Sequence, residues 1–269
     1  MAGESIDEDA RYFGRKVDFG RAASDYAKHR AGFPDRFFQR VVAQLDLQPG
    51  LAVLDLGTGT GAVARGFARH GLALTALDPS PALMEEARVL DGEAGVAIDY
   101  HLGKAEALPF ADGAFDLVTA GQCWHWFDRA RVAAEAARVL KPGGALVIAH
   151  FDWLALPGNM VEATEDLIRA YSPDWTLGRA TGLYPPWLAD MSGAGFKGIE
   201  TASFDVEQPY SHEGWRGRIR ASAGVKASLD EATTAGFDSA LAALLAARFP
   251  ADPLAVPHRV WWAAAHKPT

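Results

Sequence analysis

VLDLGTGTG, Val53 to Gly61, is the stretch on which the fold turns. An apolar run carrying one carboxylate leads into three glycines on alternate positions, Gly57, Gly59 and Gly61. Leu51 to Leu56 lacks the polar alternation of a half-solvated strand and reads as a strand buried on both faces. Glycine accepts the backbone angles of a sharp turn and lets a ligand come close to the main chain. Beyond the turn, Ala62, Val63, Phe67 and Ala68 fall on one face and predict a helix that ends at His70 and Gly71. The first N–H groups of such a helix have no partner within it and point back at the turn.

Working outward, Leu72 to Leu77 predicts a second strand, and Asp78-Pro79-Ser80-Pro81 starts a helix with Ser80 as N-cap and Pro81 at its first position. That helix is expected to reach about Leu90. Val96 to Leu102, Phe115 to Ala120 and Ala145 to Ala149 read as three further strands, with a helix over Arg129 to Leu140 closed by Lys141-Pro142-Gly143-Gly144. Strands alternating with helices imply βαβ units and a parallel sheet. After His150 the rhythm breaks. Apolar alternation returns at Lys197 to Val206 and Arg259 to His266, predicting a terminal strand pair with a helical insertion, about Ser211 to Phe249, between them.

The chain has 269 residues, 49% hydrophobic and 22% charged, the composition of a globular protein. With 26 Lys and Arg against 34 Asp and Glu the formal charge is −8, which argues against nucleic acid or an anionic membrane as partner. The one cysteine, Cys123, can form neither an intrachain disulfide nor a cysteine-rich zinc site, and no metal is expected. MAGESIDEDARYFGRK at the N-terminus lacks an apolar signal core, and no stretch approaches the roughly 20 apolar residues of a membrane span. A soluble, cytoplasmic location is expected; oligomeric state is not legible.

Gly57, Gly59 and Ala62 also satisfy the G-x-G-x-x-A pattern of dinucleotide-binding turns, so the glycines alone do not name the ligand. Asp55, two residues before Gly57, favours a cationic group there and would repel a pyrophosphate. Asp78, at the end of the second strand, can accept two hydrogen bonds from a ribose diol. These residues point to a ligand with a ribose and a positive group.

Here the chain resembles the class I S-adenosylmethionine (SAM) dependent methyltransferases. The resemblance is carried by VLDLGTGTG, LDPSPALMEEA (Leu77 to Ala87), GKAEALPFADGAFDLVTAGQCWHWFD (Gly103 to Asp128) and RVLKPGGALVIAH (Arg138 to His150). It implies a Rossmann-like α/β fold, a seven-stranded, mainly parallel sheet of order 3-2-1-4-5-7-6 with strand seven antiparallel, and helical lid additions. The implied parse is a single methyltransferase domain over 1–269. Residues 1–48 would form an N-terminal helical cap and 49–150 the SAM-binding core. Residues 151–196 and 207–256 would be helical additions, and 197–206 and 257–267 the terminal strands. Carried over by position, Asp55, Gly57, Thr58, Gly59 and Gly61 match the floor under the methionine moiety. Asp78 matches the ribose anchor, with Pro79 and Ser80 beside it. Ala105 and Glu106 match the loop that meets adenine, and Gln122 the turn after strand four. Lys104 stands where many relatives have Asp, so an adenine contact from the Ala105 backbone is expected instead.

FGRAASDYAKHRAGFP, Phe19 to Pro34, resembles the Tyr-x-x-x-Arg element of a small-molecule branch that includes trans-aconitate methyltransferase-like enzymes, which makes Tyr26 and Arg30 candidates for the cofactor carboxylate. The HWFD motif, His125 to Asp128, recurs in that branch. Trp124 and Trp126 would line an apolar pocket around His125, the one neutral base of the motif and the candidate catalytic residue. His150 and Trp153 follow strand five at the same edge and are expected to touch substrate. Trp175, Tyr184, Trp187 and Trp215 are readable either as an aromatic lid or as core of the additions, and Arg216, Arg218 and Arg220 either as an acid-binding patch or as an exposed helix face. The expected activity is transfer of methyl from SAM to oxygen, nitrogen or carbon of a small, partly apolar or aromatic metabolite. The alternative is a fold relative that binds SAM as a regulator or as a catalyst of another reaction.

Overall fold

The computed structural model describes residues 32–175, 178–222, 224–225 and 229–269, with the backbone of 11–12 and 15–16. Its sheet has seven strands: β1 Ala52–Leu56, β2 Ala73–Asp78, β3 Ile98–Leu102, β4 Phe115–Gly121, β5 Leu140–Trp153, β6 Lys197–Tyr210 and β7 Leu254–His266. They lie in the order β3-β2-β1-β4-β5-β7-β6. The first five pair in parallel, and β7 runs antiparallel to both β5 and β6, the expected topology. The helices are α1 Asp35–Gln44, α2 Ala62–Arg69, α3 Pro81–Ala94, α4 Arg129–Val139, α5 Met160–Tyr171, α6 Pro186–Gly193, α7 His212–Arg220 and α8 Glu231–Arg248. Among the described residues no helix is long and apolar enough to cross a membrane.

The strand faces follow from a period of two. Val53 joins Phe37, Phe67 and Trp262 in the core beneath α1 and α2, while Leu54 and Leu56 face the opposite core with Val132, Ala136 and Met191. Asp55 therefore points to the α2 side, inside the sheet layer rather than on its rim. A third core, with Met160, Ile168, Trp215, Ile219, Phe237 and Leu241, knits α5, α7 and α8 over the ends of β6 and β7.

Several boundaries differ from the sequence expectation. α3 continues past Leu90 to Ala94 and stops where Gly95 takes φ 67°. Its polar residue Asp91 is buried, accepting from Arg65 Nε at 2.9 Å and Tyr100 Oη at 2.8 Å, so polarity there does not mark a helix end. β5 extends beyond Ala149 because His150, Phe151, Asp152 and Trp153 pair antiparallel with Trp261, Val260, Arg259 and His258. The terminal strands are longer for the same reason, pairing from Tyr210 with Leu254 onward. Among its described residues the insertion between them holds two helices, capped by Ser211 and Asp230 side chains.

Candidate functional site

The carboxyl ends of β1 to β5 carry the candidate residues. Gly57, Gly59 and Gly61 all have left-handed backbones, with φ 57°, 55° and 76°, which only glycine adopts without strain. Their surroundings separate their roles. A Cβ on Gly57 would lie 3.0 Å from Cys123 Cβ and 3.1 Å from Phe127, and one on Gly61 would lie 2.5 Å from the Tyr100 hydroxyl. Among the described residues, a Cβ on Gly59 would meet no atom within 4 Å. Gly57 and Gly61 thus pack against protein, while Gly59 meets none of the described residues.

Asp78 holds that turn from below. Its Oδ2 accepts from Gly59 N–H at 2.8 Å, and its Oδ1 accepts from Ser80 N–H at 2.9 Å. The strand end, the Gly turn and the start of α3 are therefore fixed on one carboxylate, and Ser80 Oγ caps α3 by accepting from Leu83 N–H. Pro79 and Ser80 are half-buried beside it. The Asp78 carbonyl accepts from Gly103 N–H at 3.2 Å, which draws in the loop after β3. In that loop Ala105 is buried, and Glu106 Oε1 accepts from Asp128 N–H at 3.1 Å, linking it to the loop after β4.

Asp55 is 1% exposed and, as register partner of Thr119, accepts from its Oγ1 at 2.6 Å. Burial pushes its carboxyl up to about 6, assisted by the negative charge of Asp78 and opposed by hydrogen bonding from Thr119, Thr58 and the Ala64 backbone. Asp55 lies under the turn and makes no exposed contact. Thr58 is also buried, its N–H donating to the Leu77 carbonyl at 3.2 Å.

At the end of β4, Gln122 has φ 63° although it is not glycine, a conformation costing on the order of 1 to 2 kcal/mol. Two bonds to β5 hold it there: its N–H donates to the Ala149 carbonyl at 2.9 Å and its side-chain amide to the Phe151 carbonyl at 2.8 Å. The reversal launches the single turn of 3-10 helix Trp124–Trp126. The three aromatic residues of that turn part company. Trp124 is 0% exposed, and its indole N–H donates to Asp190 at 3.0 Å. The expectation that Trp124 lines a pocket is thereby corrected: its surface is spent on the core between β4, α4 and α6. His125 and Trp126 are half-buried, their rings 4.7 Å apart.

His125 Nδ1 lies 3.3 Å from His150 Nε2, and His150 Nδ1 lies 2.9 Å from Asp152 Oδ1. Tyr184 Oη donates to Asp152 Oδ2 and sits 3.1 Å from His150 Nδ1. Burial alone would push the Asp152 carboxyl up, but the attraction and hydrogen bond of His150, the hydrogen bond of Tyr184 and the attraction of His125 hold it below its ordinary value. Aromatic rings wall this array: Trp187 stacks on Tyr184 at 4.0 Å between centroids, and Trp261 lies 5.8 Å from Trp187. His150 is 6% exposed, so it faces the array more than any open surface, a second departure from the substrate-contact expectation. Tyr184 and Trp187 were open to two readings, and the signal that joins them to His150 is absent from the local sequence.

The structure does not bring Trp153 into this group. Its indole N–H donates to Glu165 at 2.8 Å, Arg218 covers its ring at 4.7 Å, and Trp215 meets it edge-on, so it is corrected to a residue of the core formed by the added helices. Trp215 is fully buried there, and Arg216 and Arg220 are paired with Asp238 and Glu213. Tyr26 and Arg30 lie outside the described residues. Among the described residues no cluster of His, Cys, Asp and Glu is arranged to hold a metal ion.

Residues 54–148 match a family model described as a methyltransferase domain. An uncharacterized methyltransferase of Mycobacterium tuberculosis is 33% identical over 161 residues, 57% of this chain and 62% of the relative, so the likeness spans about three fifths of that protein's length. A demethylmenaquinone methyltransferase of Renibacterium salmoninarum is 37% identical over 136 residues, 50% of this chain and 56% of its own. The fold is that of Rossmann-like methyltransferases. A solved phosphoethanolamine N-methyltransferase 2 of Haemonchus contortus, in complex with S-adenosyl-L-methionine, superposes with a TM-score of 0.56 at 19% identity, over 96% of this chain and 62% of that one.

Proposed function

We propose that the protein is a SAM-dependent methyltransferase that acts on a small molecule, with residues 49–150 as its cofactor-binding core within one unit over 1–269. The observation that carries this reading is Gly59: left-handed, held by Asp78, and clear of every described residue where the neighbouring glycines face protein. A turn that must be glycine on both backbone and ligand sides fits a cofactor laid against its main chain. Asp78 would hold the ribose, the Ala105 backbone and Glu106 would border the adenine, and buried Asp55 would supply the field that favours a sulfonium and an ammonium. Gly57, Thr58, Gly61, Pro79, Ser80 and Gln122 would frame the same space, and Tyr26 and Arg30 would reach the cofactor carboxylate.

When bound, SAM supplies a methyl carbon whose bond to sulfur breaks with its electron pair going to sulfur, as a lone pair of the acceptor forms the new bond. The chain's own task is alignment, exclusion of water and, for an acceptor that must be deprotonated, taking up its proton. His125 is the group proposed for the proton, with Trp126 beside it against a partly apolar acceptor.

Titration calorimetry with SAM and with its demethylated product tests the reading. One site per chain is expected, weakened by roughly 1 to 3 kcal/mol in Asp78→Ala, the range for hydrogen bonds to a charged group. Undiminished binding by Asp78→Ala refutes the ribose assignment. Conversion of SAM to the demethylated product across a panel of phenols, amines and carboxylates separates methyl transfer from a fold relative that only binds.

A further inference from the structure

We infer that Asp152, His150 and Tyr184 form a positioning relay that fixes His125 with its proton on Nδ1 and its lone pair on Nε2. The inference rests on the proposed role of His125 and adds what would prepare it for that role. An ionised carboxylate only accepts hydrogen bonds, so at 2.9 Å from Asp152 Oδ1 the His150 Nδ1 must carry hydrogen. Tyr184 gives its one proton to Asp152 Oδ2, which leaves its oxygen as a second acceptor for the same His150 N–H at 3.1 Å. Neutral His150 then has its lone pair on Nε2, and the 3.3 Å contact with His125 Nδ1 is a hydrogen bond only if His125 donates. Through this chain of contacts a carboxylate two groups away favours one tautomer of the second ring.

The geometry is fixed by the fold on three sides. His150 and Asp152 share one face of β5 at a spacing of two, and β7 pairs with both, against Trp261 and Arg259. Tyr184 is held from the segment before α6 by stacking on Trp187, whose ring also lies parallel to His125 at 6.5 Å. His125 is set by the turn that strained Gln122 begins. Side-chain exposures of 8% for His150 and 18% for Asp152 keep water from competing for these bonds.

In action, the proton of an acceptor hydroxyl or acidic carbon passes to His125 Nε2. The resulting imidazolium keeps its Nδ1–H bond to His150, and Asp152 stabilises the positive charge without taking a proton. The arrangement favours acceptors that must lose a proton and offers nothing to a carboxylate, which is already a nucleophile at neutral pH. His150 and Asp152 are positioning residues, since they act through His125.

The alternative assignment, a His150 imidazolium paired with Asp152, reverses the contact and places the His125 proton on Nε2. Nitrogen-15 NMR of the full-length protein distinguishes the two, with the His125 ring assigned by its loss in His125→Gln. At pH 8.5, above the ordinary imidazole range, a pyrrole-like Nδ1 and a pyridine-like Nε2 are expected for His125. In His150→Phe, which keeps a ring but removes the acceptor, the His125 ring should revert to the Nε2–H form that neutral imidazole prefers in water. His150→Leu, which also removes the acceptor, gives a second perturbation should the Phe variant fold poorly by circular dichroism. Pyrrole-like Nε2 in the wild type, or an Nδ1–H form that survives in the folded variants, overturns the relay. The measurement needs neither SAM nor acceptor. Failure of SAM to bind would remove the proposed activity and leave the relay standing, and the reverse also holds.

Discussion

Replacing Asp55 by Asn should make the protein's stability less sensitive to pH, because Asp55 is ionised under a turn that offers it little water. Its carboxyl stands at about 6 in the fold against an ordinary 3.8, a rise caused first by burial. Between these values the folded protein holds a proton that the unfolded chain has released, so stability falls as pH rises through that window. The full window is about two pH units, which at about 1.36 kcal/mol per unit comes to roughly 3 kcal/mol; about 2 of that falls between pH 4.5 and 8. Asn brings its own misfit, since an NH₂ replaces an oxygen near the Ala64 N–H, but that cost does not depend on pH. Urea unfolding of both proteins at pH 4.5, 6 and 8 should therefore show wild type losing about 2 kcal/mol more than Asp55→Asn over the range. Curves that run parallel would falsify the claim that Asp55 is a buried, reluctantly charged carboxylate. The same penalty gives the cofactor reading a consequence. A cation arriving near Asp55 favours the ionised form, so SAM binding at pH 6 should release a fraction of a proton, read from binding enthalpies in buffers of different ionisation enthalpy.

Gly59→Val should leave circular dichroism near wild type while abolishing SAM binding. Gly61→Ala, whose Cβ would stand 2.5 Å from the Tyr100 hydroxyl, should lower the melting temperature by several degrees; a folded Gly59→Val that still binds SAM would show that the space beside Gly59 is not the cofactor's. With a productive acceptor in hand, His125→Ala should lower turnover by about 10²-fold or more with SAM affinity nearly unchanged, since a general base contributes in that range. His125→Gln should be equally poor, because an amide can hydrogen-bond but cannot take the proton; near-normal turnover by the Gln variant across pH 5 to 8 eliminates the base and leaves alignment as the source of rate.

The first four strands were legible because each is short and bounded by glycine, proline or a carboxylate, signals that lie within a few residues of one another. Asp78 and Ser80 were legible for the same reason: a strand end and a helix cap are local events, and the structure gives them local partners, Gly59 and Leu83. Beyond His150 the deciding contacts are remote. β5 continues through His150 and Asp152 only because β7 pairs with them from more than a hundred residues away, and polar residues in an apolar strand otherwise read as its end. The His125, His150, Asp152 and Tyr184 array draws on β4, β5 and the approach to α6, so no window of sequence contains it.

Trp124, His125 and Trp126 make the same point within three residues. A motif that rich in aromatics at a strand's carboxyl end suggests one shared pocket, yet a turn of 3-10 helix sends successive side chains about 120° apart. Trp124 is turned toward Asp190 and the core, while His125 is turned toward β5. The direction of the whole turn is set one step earlier, by Gln122. A left-handed backbone there would ordinarily be signalled by Gly or Asn, and Gln gives no such signal. What maintains it is a pair of hydrogen bonds to Ala149 and Phe151, the residues that flank His150. The strand that supplies the second histidine therefore also aims the first, so the separation of the two rings is controlled by backbone pairing between β4 and β5 rather than by flexible side chains. A relay with a 3.3 Å central contact depends on that rigidity, because a displacement of a few tenths of an ångström would carry it outside hydrogen-bonding range.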